Sequence, residues 1–245
     1  MSDGSDAAKA PGPPDFLERS RTLLGEDALS SLSRVRVAVF GLGGVGGWCA
    51  EALVRTGVRR ILLVDADVVA PSNVNRQIMA TPATVGQRKA DTLAARLAEI
   101  APDAEIESRA VFYDETTAPS FDLGSYDYVI DAIDSVRSKA LLIRSALAHP
   151  GATLLSSMGA AKRIDPSRVR AVEFSKIQGD GLARAVRTAL RKSGGIPERD
   201  FTCVCSDEPP LCDGLGSVVT VTAAFGLLLA SIVVRNQMRQ PVTRT

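Results

Sequence analysis

The stretch "RVAVFGLGGVGGWCAEAL", Arg36 to Leu53, constrains the fold more than any other part of the chain. Val35, Val37, Val39 and Phe40 form a short apolar run rich in β-branched side chains, as a central parallel strand requires when both its faces are covered. Gly41, Gly43 and Gly46 then fall on a G-x-G-x-x-G spacing, with Gly44 inside it. Missing side chains at these positions allow a tight turn, close approach of backbone amides to phosphate oxygens, and close packing of the following helix on the strand. That helix also offers unpaired N–H groups and the positive end of its dipole to an anion. A second apolar strand, "RRILLVDAD", ends in Asp65, about twenty residues beyond the glycines, where a carboxylate can hydrogen-bond a ribose. These residues point to a nucleotide, with NAD and ATP as equal occupants.

The rest of the chain alternates in the same manner. A helix is expected over about 84–100, a strand over 104–111, a strand in "YDYVIDAID", a helix over 135–148 and a strand in "ATLLSSMGA". "KRIDPSRVRAVEF" carries a turn at 165–167 between two extended segments. The pattern implies an α/β fold, Rossmann-like and doubly wound, with a mostly parallel sheet and antiparallel strands after about residue 155. The 245 residues, 45% hydrophobic and only 4% aromatic, suit one aliphatic core, so residues 15–245 are read as a single domain. The first fourteen residues, "MSDGSDAAKAPGPP", read as a disordered tail without the apolar core of a signal peptide, which points to the cytoplasm.

Charge is balanced at +1 but unevenly spread: residues 159–200 hold 10 Lys and Arg against 5 Asp and Glu. Within that segment "GLARAVRTALRKSGG" reads as a helix ended by Gly194 and Gly195, placing Arg184, Arg187 and Arg191 on one face beside Lys192. Such a face is either ordinary solvated surface or a grip on a nucleic-acid backbone. From Ser217 to Val234 the chain carries no charge. Thr220, Thr222, Gly226 and Ser231 interrupt this run, so it reads as a buried helix, shared with a partner subunit, and not as a membrane span. Cys49, Cys203, Cys205 and Cys212 form no C-x-x-C pair, so neither a zinc site nor a redox motif is expected. Cys212 is read as a small buried side chain.

Between the second strand and the next helix, "DADVVAPSNVNRQ" and "VGQRKA" supply Asn73, Arg76, Gln77 and Lys89, which suit phosphates and ribose hydroxyls. A hydride-transfer enzyme has no need of so many phosphate ligands, and the balance moves to ATP. Asp131 and Asp134 stand at the carboxyl end of the fourth strand, where open α/β sheets place their ligands and where one carboxylate can hold Mg²⁺.

"GLGGVGGWCAEALVRTGV", "VDADVVAPSNVNRQI", "VGQRKA" and "VIDAIDSVRSKA" together resemble the adenylating enzymes that activate carboxyl groups, the ubiquitin-activating superfamily and its bacterial relatives. Within that superfamily "DAIDS", "TCVCSDEP" and "GLGSVVTVTAAFG" resemble one family, the tRNA threonylcarbamoyladenosine dehydratases. The resemblance runs from about residue 19 to 237. It implies a phosphate turn of Gly41, Gly43, Gly44 and Gly46, Asp65 on the ribose of ATP, and Asn73, Arg76, Gln77 and Lys89 as nucleotide and phosphate ligands. It implies Asp134 as the carboxylate associated with Mg²⁺ and the reacting phosphate. Arg21, with Arg19 as rival, would be the arginine sent across a homodimer interface to the partner's ATP. The implied partner is tRNA carrying threonylcarbamoyladenosine, with room for a sulfur-transfer or redox protein. The implied reaction is ATP-dependent dehydration of the threonylcarbamoyl group through a carboxyl adenylate; the alternative is adenylation of the C-terminus of a ubiquitin-like sulfur carrier. Some of these dehydratases carry a cysteine where an ungapped match places Leu211, one position from Cys212, so no thiolate nucleophile is implied.

Overall fold

The computed structural model describes residues 15–239, so the tail expected over 1–14 lies outside the described residues. Seven strands form one sheet in the order β3-β2-β1-β4-β5-β7-β6. They are β1 (Arg36–Phe40), β2 (Arg60–Val64), β3 (Glu105–Arg109), β4 (Tyr128–Asp131), β5 (Thr153–Ser157), β6 (Val169–Glu173) and β7 (Thr202–Ser206). The central strands alternate apolar side chains between two cores, which is why they read as continuous hydrophobic runs. Val37, Val39, Ile61, Leu63 and Ile130 face one core. Ala38, Phe40, Leu62, Val64 and Val129 face the other.

The first core is covered by helices α2 (Glu26–Arg34), α3 (Gly46–Thr56), α4 (Lys89–Ile100) and α7 (Val219–Arg239), with the short α1 (Glu18–Leu24) beside them. The second is covered by α5 (Val136–Leu147) and α6 (Gly181–Lys192). The sheet is mostly parallel with antiparallel pairing in its C-terminal part, as expected: the edge strand β6 runs against β7, and β7 itself runs parallel to β5. One boundary is corrected. The helix expected from Thr84 begins at Lys89, because Val68 bridges to Arg88 and Gln87 accepts from the Val69 amide, which holds 84–88 in a loop closure.

Helix α7 is long and apolar enough to cross a membrane, yet its inner face packs on α3. At the crossing, a Cβ on Gly226 would lie 2.3 Å from the Val45 carbonyl, so only glycine permits this approach. The helix is not covered all round: Leu227 and Met238 are about half exposed on its outer face.

Candidate active site

The site is built around the turn after β1. Gly41 has φ +83°, and a Cβ there would sit 2.6 Å from the Ala132 carbonyl oxygen. A Cβ on Gly46 would lie 1.8 Å from the Gly41 carbonyl, so the first turn of α3 folds directly against the strand end. Both positions exclude any side chain, and the glycine spacing is thereby explained by geometry. Below the turn, Asp65 accepts from the Leu42 amide at 2.7 Å and from the Asp67 amide at 2.8 Å. Burial pushes the Asp65 carboxyl above its ordinary value, against the opposing pull of the Leu42 amide and of nearby Lys89.

The excursion from Asp65 to Lys89 brings the remaining polar groups alongside. Asn73 accepts from the Ala70 amide at 3.0 Å, closing a short helical turn, and the Trp48 indole donates to the Arg76 carbonyl at 2.9 Å. These bonds place the Arg76 stem 3.2 Å from a Cβ built on Gly44, and the Gln77 amide nitrogen 3.8 Å from one built on Gly43. Gln77 is buried, and its Oε1 has no hydrogen-bond partner among the described residues. An orphaned acceptor in a glycine cradle suits a ligand that brings its own hydroxyl or bound water. Lys89 is buried at the start of α4 and reaches Asp67 at 2.7 Å, a carboxylate that is itself mostly exposed. The buried cation is thus held by a partner that lies open to solvent.

On the other side of the glycines lies the turn 131–134. Asp134 is exposed at its end, open to a ligand. Asp131 is not: it is fully buried, paired with Lys139 at 2.8 Å, and accepts from Ser156 at 2.6 Å. Sequence reasoning set both carboxylates at the ligand end of β4, but only Asp134 is available to a metal. A single exposed carboxylate beside the glycine turn would fit Mg²⁺, an ion that usually keeps several of its waters.

Other residues singled out in the sequence fall elsewhere. Arg21, on α1, pairs with Asp15 ahead of that helix and with Glu26 at the start of α2. That helix sits by Gly57, where Leu17 packs, at the far end of α3 from the glycine turn of the same chain. Eleven residues of α3 put the two about 16 Å apart. Arg19 is exposed on the same helix. On α6 the expected single basic face is divided. Arg184, Arg191 and Lys192 are exposed, whereas the Arg187 guanidinium stacks on Phe174 and donates to the carbonyls of Phe174 and Ile177. Cys212 is exposed in the loop before α7, with its thiol on the Gly214 carbonyl at 3.3 Å, and the buried role expected for it is wrong. The leucines on either side of it, Leu211 and Leu215, are themselves exposed and do not cover it. The thiols of Cys49, Cys203 and Cys205 are buried, and burial pushes each of them up.

Sequence reasoning missed two buried groups, Arg163 past the end of β5 and Glu208 past the end of β7. Arg163 donates to carbonyls of Gly159, Ser206 and Glu208 and pairs with Asp180, which caps α6. Glu208 accepts from the amides of Ile164 and Asp165. No local motif announces them; a charged residue just after an apolar strand, in "MGAAKRID", was the only signal.

A family model for the ThiF family matches residues 17–240, nearly the whole described chain. This chain belongs to the ThiF family. Among relatives, tRNA threonylcarbamoyladenosine dehydratase of Bacillus subtilis is 44% identical over 193 residues, 79% of this chain and 75% of the relative. The enzyme of that name in Escherichia coli is 34% identical over 245 residues, covering 88% of this chain and 91% of its own. The crystal structure of the E. coli tRNA N6-threonylcarbamoyladenosine dehydratase, TcdA, in complex with ATP matches with a TM-score of 0.86 at 36% identity, over 90% of this chain and 92% of that one. The ThiF family frame thus extends to both halves of the sheet, including the reversed edge strand.

Proposed function

We propose that this chain is an ATP-dependent tRNA threonylcarbamoyladenosine dehydratase, which cyclises the threonylcarbamoyl group on the adenosine beside the anticodon. What supports this above all is that the glycine cradle, with Asp65, Arg76, Gln77 and Lys89 around it, belongs to a chain so similar to a dehydratase that holds ATP. The threonyl carboxylate is ionised at neutral pH, so it can attack the α-phosphorus without a general base. Pyrophosphate leaves, and a carboxyl adenylate remains. A nucleophilic atom of the same threonylcarbamoyl group then attacks the acyl carbon, closing a five-membered ring with the advantage of an intramolecular reaction. AMP departs carrying one former carboxylate oxygen, which is the oxygen of the water formally lost.

The protein's part is positioning and charge neutralisation. Gly43, Gly44 and Gly46 present backbone amides to the phosphates, Gly41 makes the turn with its own amide donated to the Val64 carbonyl, and Asp65 and Asn73 hold the ribose side. Lys89 exchanges Asp67 for phosphate oxygens, and Arg76 and Gln77 flank them. Bound Mg²⁺ would offset phosphate charge, held by Asp134. Arg21, remote from the nucleotide turn of its own chain, would reach the partner's ATP in a C2 homodimer, and the half-exposed Leu227 and Met238 on α7 are apolar surface that such a partner would cover. Exposed Arg184, Arg191 and Lys192 are the candidates for the tRNA backbone. The reaction belongs in the cytoplasm, where ATP and tRNA meet, and a sulfur-transfer or redox protein remains a further partner to seek.

The test is pyrophosphate release with ATP and either tRNA bearing threonylcarbamoyladenosine or a ubiquitin-like carrier with a free C-terminus. Release with the tRNA, and conversion of its modified nucleoside, is the expected outcome. Release with the carrier alone would reassign the substrate.

A further inference from the structure

The most deeply buried ion pair among the described residues joins Asp131 to Lys139. Asp131 and Lys139 are both fully buried, and Lys139 reaches the carboxylate from the first full turn of α5. Three elements meet on one oxygen: Lys139 of α5 at 2.8 Å and Ser156 of β5 at 2.6 Å both bond Oδ2 of Asp131 at the end of β4. Lys139 also lies 3.4 Å from the Ser156 hydroxyl. The other carboxylate oxygen accepts from the Ile133 amide at 3.2 Å and so shapes the turn that leads to Asp134. The same turn is held from the opposite side, by the Ala132 amide on the Phe40 carbonyl at 2.8 Å and by the contact of Ala132 with Gly41.

A buried ion pair is a poor device for stability alone, because a well-packed apolar pair of similar volume commonly serves as well or better. Its distinctive property is that it enforces one geometry. We propose that Lys139 is a positioning residue: by fixing Asp131, and through it the Ile133 amide, it sets the turn that presents Asp134 opposite the glycine cradle. This rests on the adenylation reading for its kinetic consequence, but not for its structural one. Lys139 is sealed from solvent and never meets substrate; it acts only through Asp131.

The experiment compares Lys139→Met, the charge-free pair Asp131→Asn with Lys139→Met, and Ser156→Ala. Hydrogen exchange is followed over residues 131–135, with pyrophosphate release and AMP affinity measured on the same samples. Lys139→Met leaves a buried carboxylate without its cation and can fail to fold; the charge-free pair removes that problem, and Ser156→Ala removes one hydrogen bond with no change of charge. In the folded variants lacking Lys139, turnover is expected to fall about 10–100-fold, the scale of a displacement of about 1 Å at a reacting group. AMP affinity should move less than about threefold, because the glycine cradle is untouched. Exchange across 131–135 should rise in every variant, least in Ser156→Ala. A charge-free pair that regains both wild-type melting and wild-type turnover, or unchanged exchange over 131–135 in Ser156→Ala and the charge-free pair, would overturn the proposal. The exchange result stands whatever substrate the enzyme proves to use, so failure of the positioning role and failure of the reaction assignment are told apart.

Discussion

At the carboxyl end of β1 the chain is held by backbone packed on backbone: Gly41 against Ala132, Gly46 against Gly41. At the ends of β5 and β7 the loops are held instead by side chains on carbonyls and amides, with Arg163 and Glu208 gathering segments more than 40 residues apart. The first arrangement leaves amides and a cradle open for phosphates. The second consumes its charges internally, on carbonyls, amides and the Asp180 carboxylate. The glycine turn therefore leaves an open site, and the buried guanidinium network is part of the frame.

The largest effect is expected where the frame's cation is removed. Arg163→Met leaves Asp180 buried without its partner and frees several carbonyls, at about 3–5 kcal/mol. Thermal or urea unfolding would measure it, and the surviving folded protein should still bind AMP. Equal loss of AMP affinity in the folded fraction would erase the division between the two regions. Gly46→Ala attacks the other side: its methyl overlaps a backbone carbonyl, costing about 3 kcal/mol and most of the nucleotide affinity, read by calorimetry with AMP.

Asp65 supplies a gentler probe by pH. Its folded value is raised, chiefly by burial, so the folded protein takes up this proton at higher pH than the unfolded chain does. The buried carboxylate thus costs stability at neutral pH, and that cost fades as pH falls through the raised value. The proposed bond from Asp65 to the ribose requires the ionised form, so nucleotide affinity should fall over the same window, while Asp65→Asn, weaker by about 1–2 kcal/mol at pH 7, should be flat there. A wild-type affinity that does not change with falling pH would exclude Asp65 from the ribose. The smallest stability effect belongs to α6. Arg184→Glu with Arg191→Glu should shift stability by less than about 0.5 kcal/mol and leave AMP binding alone, while reducing tRNA affinity and its salt dependence. An unchanged salt slope would return this face to ordinary surface. Arg187 is left out because its guanidinium is spent on the carbonyls of Phe174 and Ile177.

The same contrast explains what could be read from the sequence. Glycines at 41, 43 and 46 lie within six residues of one another and Asp65 closes on Leu42 one strand away, so the cradle and the parallel core were legible as local pattern, although the packing of Gly41 on Ala132 was not. Pairing across longer distances was not. The strand over 202–206 runs parallel to β5 because a crossover containing α6 returns the chain to the same edge, and nothing in "FTCVCSD" distinguishes that from an antiparallel return. Lys139 reads as one more polar position on an amphipathic helix until β5 supplies Ser156 beside it. Cys212 follows the same rule: its exposure is set by a loop tied to Lys162 through the Leu211 amide and the Gly216 carbonyl, a pairing no spacing announces.

The measurement that bears most directly on the account follows one oxygen atom. With ¹⁸O placed in the threonyl carboxylate of the modified tRNA, attack on the α-phosphorus and expulsion of the acyl-bound nucleotide must carry one labelled oxygen into AMP. Mass spectrometry of the nucleotide product after a single turnover should find AMP heavier by one ¹⁸O, in amounts equal to the cyclised nucleoside, and Asp134→Asn should yield neither. Cyclised product accompanied by unlabelled AMP would contradict carboxyl adenylation at this site.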